Sequence, residues 1–497
     1  MKQFKKQSKF YFALTFLLAM SFSPVLAQIG ARPWSDEVLY FVLIDRFADG
    51  KTENNIEVDP SQKGYFHGGD LVGLTEKLDY LQELGITAIW INPIVKNMDT
   101  FVDAVGFPDW AYHGYWADDF YKLDERFGTE TEFYDFVNAA HAKGIRILLD
   151  VVYNHPGYKS QFLKWPNAND WMRTGRRESL CGDDDLTTCL SGLPDFKTEK
   201  PEVADYLLKA HLGWAKKSGV DGFRLDTVKH VDRPFWQEHR KRIRAELPKS
   251  FFLLGEVWGA DYKVMDDYFE PDEMDAGFDF SFKGSAMSFV LGRGRTIAFS
   301  RYLMKRHKIR EGYQMAHYLA SHDEKGTLFE LKNNKTLFKM CVALQMTSLG
   351  IPVIYYGEEV GRIGGDWPDN RSDMPWGEEA TMPGKGKKQD LEMLAYYKKL
   401  IAIRKAYPSL SRGDFQEVHT DGDCLIFSRN TEDETVFVAV NRASEPFEAT
   451  IVLPDHLKLG VHMELMTGKP VPTRDGSLKT IIPGRQAVLI GSKPIAK

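Results

Sequence analysis

Residues Gly222-Phe-Arg-Leu-Asp226 form an apolar run of strand length that ends on a carboxylate. Helical patterns flank it, at 201–217 before and 233–246 after. A strand between two helices is the repeating unit of an α/β fold, and outward from this point the unit recurs. Strand-like runs lie at 38–45, 87–92, 145–152, 251–256, 276–280, 316–321 and 352–356, making eight with the first. Helix candidates fall between most of them. They are the leucine stripe Leu71, Leu74, Leu78, Leu81 and Leu84, then 130–143, 335–349 and 391–405. Eight strands alternating with helices predict a (β/α)8 TIM barrel.

Two segments break the alternation. Residues 155–198 are long, polar and glycine-containing, which predicts a small domain inserted after the third strand. From about 409 the helical period stops and short apolar runs recur between turn residues, at 424–428, 435–441, 449–453 and 487–490. A C-terminal all-β sandwich domain over 409–497 is expected. The barrel then takes 28–154 and 199–408. At the start, Lys2, Lys5, Lys6 and Lys9 precede an apolar run from Phe10 to Phe22, and Val25-Leu26-Ala27 offers a small-residue cleavage site. That pattern predicts a signal peptide over 1–27 and an exported chain, secreted or periplasmic.

Of 497 residues, 43% are hydrophobic and 27% charged, which fits a packed globular chain and excludes disorder or a multi-span membrane protein. Lys and Arg number 64 against 70 Asp and Glu; setting aside the leader's four lysines leaves 60 against 70, a net −10. Such a balance argues against nucleic acid as a partner. No stretch after the leader is long and apolar enough to span a membrane. Cys181 and Cys189 lie close together in a polar segment and are the pair expected to bond in an exported chain. Cys341 and Cys424 fall in apolar runs and read as buried thiols.

Barrel enzymes carry their chemistry at the carboxyl ends of the strands. Here Ile147-Leu-Leu-Asp150, Gly222-Phe-Arg-Leu-Asp226, Leu253-Leu-Gly-Glu256 and Leu319-Ala-Ser-His322-Asp323 each close a strand with acid. One such residue is readily a cap or a salt-bridge partner. Several, converging on one mouth with Arg224, His155 and His322, form a charge cluster that needs a use. Glycoside hydrolysis provides one: a carboxylate attacks the anomeric carbon while a carboxyl protonates the leaving oxygen.

Four stretches carry a family resemblance: Asp150-Val-Val-Tyr-Asn-His155, Gly222-Phe-Arg-Leu-Asp-Thr-Val-Lys-His230, Gly255-Glu-Val-Trp258 and Ser321-His-Asp323. In this order they resemble the signature regions of the α-amylase family of glycoside hydrolases, family 13. Tyr112-His-Gly-Tyr-Trp116, Leu193-Pro-Asp195 and Tyr355-Tyr-Gly-Glu-Glu359 extend the likeness across the barrel. The resemblance implies that Asp226 is the nucleophile, Glu256 the acid and then base, and Asp323 a transition-state stabiliser. It implies that His155 and His322 bind the reactive sugar, that Tyr115 stacks on it, and that Arg224 keeps Asp226 ionised while Glu256 stays protonated.

Lys229-His230 resembles the pattern of α-amylases, where both side chains line the leaving-group side. The expected activity is therefore retaining endo-hydrolysis of internal α-1,4 bonds in starch, glycogen and maltooligosaccharides by a monomer. The runner-up is a cyclomaltodextrinase, neopullulanase or transglycosylase, kept open by Met374-Pro-Trp376; a non-catalytic glucan binder comes last. The resemblance also implies a structural calcium held by Asn154, Asp195 and the carbonyl of His230. No organic cofactor is expected, and Glu324 after His322-Asp323 argues against a chloride site. In the loop 365–371, Asp366, Asp369 and Arg371 could hold glucan or pair with one another.

Overall fold

The computed structural model describes residues 30–104, 106–378 and 381–493. The signal peptide expected over 1–27 lies outside them. Eight parallel strands close a barrel: β1 (Leu39–Val42), β2 (Ala88–Ile91), β3 (Arg146–Val151), β4 (Gly222–Leu225), β5 (Phe252–Gly255), β6 (Ala276–Phe278), β7 (Gln314–Tyr318) and β8 (Ile351–Tyr355). Every strand neighbours those before and after it in sequence, and β1 pairs β8. The eight strand-like runs are these strands. Gly222 opens β4 because a Cβ there would collide with the Phe252 carbonyl of the adjoining strand.

The helices form where the apolar period lies. Pro201–Ser218 begins with a proline in its first turn and ends on Gly219 in the left-handed region, a start and stop that the backbone favours. Glu130–Ala142 carries a reciprocal capping box between Thr129 and Glu132. The leucine stripe is buried at all five positions, but it belongs to two short helices, Leu71–Glu76 and Leu78–Leu84, which meet at Lys77.

Two excursions leave the barrel on its carboxyl side. The connection after β2 holds two antiparallel ribbons, Val95–Asn97 with Ala117–Leu123 and Val102–Ala104 with Phe107–Asp109. Their strands are short and interrupted by Pro and Asp, so no period of two marks them in the sequence. The segment after β3 contains a ribbon of Met172–Arg173 with Asp195–Phe196, and it places Cys181 and Cys189 with Cα atoms 5.4 Å apart, within the span of a disulfide.

The C-terminal region is a six-stranded sheet facing a three-stranded one. Cys424, Ile426, Phe437, Ala439 and Ile490 point into the space between the sheets, with Ile451 and Leu478 opposite. The alternate residues Leu425, Phe427, Val436, Val438 and Leu489 join the main barrel core. A sheet buried on both faces reads as a continuous apolar run. A buried arginine fastens it to the barrel: Arg429 donates to the carbonyls of Thr347 and Leu410, each at 2.9 Å.

Candidate active site

At the carboxyl mouth of the barrel a cleft of about 530 Å³ is lined by Tyr115, His155, Asp226, Lys229, His230, Glu256, His322 and Asp323. The expected catalytic and sugar-binding side chains therefore share one cavity, with Arg224 beneath them. Strand alternation explains the layering. Arg224 points inward from β4, 1% exposed, and Asp226, two residues on, rises from the same face to the mouth.

The guanidinium of Arg224 is the hub. Its Nη1 donates to Asp226 Oδ1 at 2.6 Å and to Asp150 Oδ1 at 3.0 Å, while Nη2 meets Glu256 Oε1 at 2.7 Å. Arg224 meets the nucleophile as expected and also reaches further: one planar fork spans three carboxyl groups from three neighbouring strands. Asp150 is further held by the Tyr115 hydroxyl at 2.7 Å and the Trp90 indole N–H at 2.9 Å, and the guanidinium carbon lies 5.0 Å from the Trp90 ring centroid.

Burial pushes the Glu256 carboxyl up, to about 8, because Asp226 and Asp323 add to the desolvation that Arg224 opposes. Burial likewise raises Asp150, to about 7. Asp323 goes the other way. Burial would raise it, but His322, Arg371 and Arg224 outweigh that and hold its carboxyl below the usual carboxylate range. One carboxyl kept protonated near another held ionised is the division that acid–base chemistry on an acetal needs.

Backbone strain helps place the acid. Thr227, directly after Asp226, sits in the left-handed region at φ 47°, which a β-branched residue rarely adopts. In that conformation its N–H donates to Glu256 Oε2 at 3.0 Å. The turn therefore binds the acid and presents the nucleophile from one kink.

Tyr115 stacks one face on His322, with ring centroids 5.1 Å apart and planes 10° apart, so its position is set before any sugar arrives. His322 Nε2 lies 3.1 Å from Asp323 Oδ2. Lys229 Nζ lies 3.5 Å from Asp185 Oδ1, and His230 Nδ1 is 2.7 Å from the Asp185 carbonyl, which joins the leaving-group side to the Cys181–Cys189 loop. In the loop 365–371 the charges do not pair with one another. Asp366 meets Lys325, Asp369 meets Lys63, and Arg371 Nη2 meets Asp323 Oδ1 at 3.2 Å. Met374 and Trp376 are core, the indole donating to the Phe47 carbonyl at 2.6 Å.

Several site residues escape a reading of strand ends alone. Trp90 looks like any barrel-core aromatic. Asp109 lines the cleft from a ribbon after β2 and Trp258 and Trp367 from loops, with Trp258 and Trp367 exposed at its rim as flat platforms suited to a pyranose face. Leu193 also lines it, and the Leu193-Pro-Asp195 motif was the one available signal for the inserted segment's share.

Asn154, Asp195 and His230 also come together. Asn154 Oδ1 lies 2.8 Å from the His230 carbonyl oxygen and 3.0 Å from Asp195 Oδ1. Asp195 Oδ2 pairs with Arg173 Nη1 at 2.8 Å. The three oxygens that the resemblance assigns to calcium thus converge, an all-oxygen set of the mixed type that the ion accepts, with Arg173 on the far oxygen of Asp195.

The comparisons with known proteins agree with the geometry. The model of the α-amylase catalytic domain matches residues 41–382, and that of the α-amylase C-terminal domain matches 413–490. The cyclomaltodextrinase of Thermoanaerobacter pseudethanolicus is 30% identical over 442 residues, covering 84% of this chain and 72% of that protein. Neopullulanase 2 of Thermoactinomyces vulgaris is 29% identical over 486 residues, covering 92% and 78%. Among solved structures, the α-amylase from Geobacillus thermoleovorans complexed with acarbose superposes with a TM-score of 0.80 at 32% identity, covering 94% of this chain and 100% of that one. With a closed barrel, three converging carboxyl groups and a catalytic-domain match over most of its length, the chain belongs to the α-amylase family, family 13, of glycoside hydrolases.

Proposed function

We propose that the chain hydrolyses α-1,4 bonds of cyclic and short α-glucans, as a cyclomaltodextrinase or neopullulanase, with retention of anomeric configuration. The observation that carries this reading is the likeness to the cyclomaltodextrinase and the neopullulanase along most of the chain, which outweighs the endo-amylase pattern read from Lys229-His230. The site supports the chemistry. Asp226 attacks the anomeric carbon, and Glu256, protonated at neutral pH, gives its proton to the leaving glycosidic oxygen. Glu256 then takes a proton from water as that water opens the glycosyl ester on Asp226. The shared Arg224 fork keeps the two carboxyl groups close, as nucleophilic attack requires, and Asp323 offers an anionic partner to the sugar hydroxyls. The lysine-rich leader supports export, and a Cys181–Cys189 disulfide suits that destination.

A time course on β-cyclodextrin, pullulan and amylose tests the substrate class. Faster turnover of β-cyclodextrin than amylose, with panose from pullulan, is expected. Mixed maltooligosaccharides from amylose with the other two substrates untouched would overturn it. That outcome would favour an α-amylase, the second reading, which rests on the full-length superposition with the acarbose-bound enzyme.

A further inference from the structure

Residues 181–189 reach the cleft from the inserted segment with no apolar core to hold them, since Leu180 and Leu186 are 67% and 44% exposed. Hydrogen bonds and the cysteine pair give the loop its shape instead. The Asp184 carboxylate accepts from the Leu186 and Thr187 N–H groups, each at 2.9 Å, and the Thr187 carbonyl accepts from the Gly182 N–H at 2.8 Å. Cys181 and Cys189 stand where a disulfide closes this ring. Asp185 faces the barrel's 3-10 turn Val228–His230. There His230 Nδ1 lies 2.7 Å from the Asp185 carbonyl, and Lys229 Nζ lies 3.5 Å from Asp185 Oδ1. A carbonyl only accepts, so Nδ1 carries the proton and, in the neutral ring, Nε2 is the acceptor. Lys229 and His230 both line the cleft, as do Leu190 and Ser191 directly after Cys189.

We propose that Asp185 is a positioning residue for the leaving-group side of the cleft: its carbonyl orients the His230 ring, its carboxylate holds Lys229, and the Cys181–Cys189 disulfide keeps both contacts in place, so that the loop sets how tightly the departing sugar chain is held. This inference rests on the hydrolytic function proposed for the site. Among the described residues, the polar contacts of Asp185 with the cleft run to Lys229 and His230, not to Asp226, Glu256 or Asp323. Loss of the loop's hold therefore weakens binding beyond the scissile bond and leaves attack on the anomeric carbon intact. The Asp185 side chain is 63% exposed, and an exposed ion pair contributes little. The larger share falls to the carbonyl contact, which depends on the shape of the loop, so opening the disulfide acts more strongly than removing the carboxylate.

α-Maltosyl fluoride separates the two sides of the cleft, because fluoride departs and no sugar fills the leaving-group side, whereas maltohexaose needs that side. Initial rates are measured on both, with calcium chloride held at one concentration so that the neighbouring junction does not vary. Asp185→Ala should lower kcat/KM on maltohexaose about threefold. Cys181→Ser with Cys189→Ser should lower it about tenfold. Both losses should arise chiefly through KM, while kcat/KM on α-maltosyl fluoride stays within about twofold of wild type. Wild type reduced with tris(2-carboxyethyl)phosphine, its freed thiols counted by alkylation, should match the double variant, and it decides the matter if that variant does not fold. Equal losses on the two substrates, or no loss on maltohexaose in the reduced protein, would overturn the proposal. Wild type that leaves α-maltosyl fluoride intact would instead overturn the hydrolytic reading, and this inference with it.

Discussion

At the residue scale, the decisive group is Arg224, because one guanidinium touches the expected nucleophile, the expected acid and the supporting Asp150. Asp226→Asn should lower kcat by about 10⁴-fold or more on β-cyclodextrin with the fold intact by circular dichroism, since a neutral amide cannot form the glycosyl ester. The acid sets the alkaline limit. Glu256 must be protonated and its carboxyl is pushed up to about 8, so kcat/KM should fall as pH rises through that value. Arg224 opposes the upward shift, so Arg224→Met should move the alkaline limb higher while cutting kcat/KM at least about 100-fold; a limb that moves down would contradict the ion pair. Stability follows the same sign. The folded chain keeps the Glu256 proton up to about pH 8, whereas the unfolded chain releases it near the ordinary 4.5. The folded state therefore binds more protons across that interval and loses stability as pH rises. Glu256→Gln should raise the apparent Tm above wild type at pH 8 and less so at pH 5, measured by calorimetry.

At the element scale, the strand-to-turn kink after β4 stores strain for placement. Thr227 holds a left-handed backbone and its hydroxyl lies buried with no hydrogen-bond partner among the described residues, yet the group that serves the site is its N–H. Glycine adopts that conformation freely and keeps the N–H. Thr227→Gly should therefore gain about 1 kcal/mol of stability, seen as a higher midpoint in urea, with kcat/KM held within about threefold. A loss of stability would mean that the Thr227 side chain supports the kink. The loops after β2 and β3 are the other elements that matter here, since they bring Asp109, Tyr115, Trp116 and Leu193 over the mouth.

At the scale of the whole molecule, the terminal sandwich is bound to the barrel through a sheet buried on both faces and through Arg429, which donates to carbonyls. Arg429 reaches Thr347, Leu410 and Gly413, with no carboxylate among its hydrogen-bond partners in the described residues. Arg429→Met leaves those carbonyls unsatisfied, so the apparent Tm should drop by at least about 5 °C while kcat/KM at low temperature stays near wild type. An unchanged Tm would show that the apolar contacts alone hold the domain. Thr347, whose carbonyl Arg429 holds, precedes β8, whereas the site lies at the carboxyl ends of the strands, which is why stability and turnover separate.

The barrel was legible in the chain because strand length, apolar content and a terminal acid repeat locally, and each can be seen without knowing any neighbour. The acids at Asp226, Glu256 and Asp323 were visible for the same reason, as were the helices whose caps and period are written in consecutive residues. The two ribbons after β2 were not visible: their strands are three to seven residues long, and what makes them strands is pairing across the loop. Nor could the sequence say that Arg224 serves three carboxyl groups, or that the charges of 365–371 find partners outside their own loop. Arg173 beside Asp195 lies deeper still, because twenty-two positions separate the two and only the ribbon register brings them face to face. Periodicity and strand-end chemistry belong to the chain itself; the pKa of an acid and the partner of a buried charge depend on which distant groups the fold sets within a few ångströms, and that is decided in three dimensions.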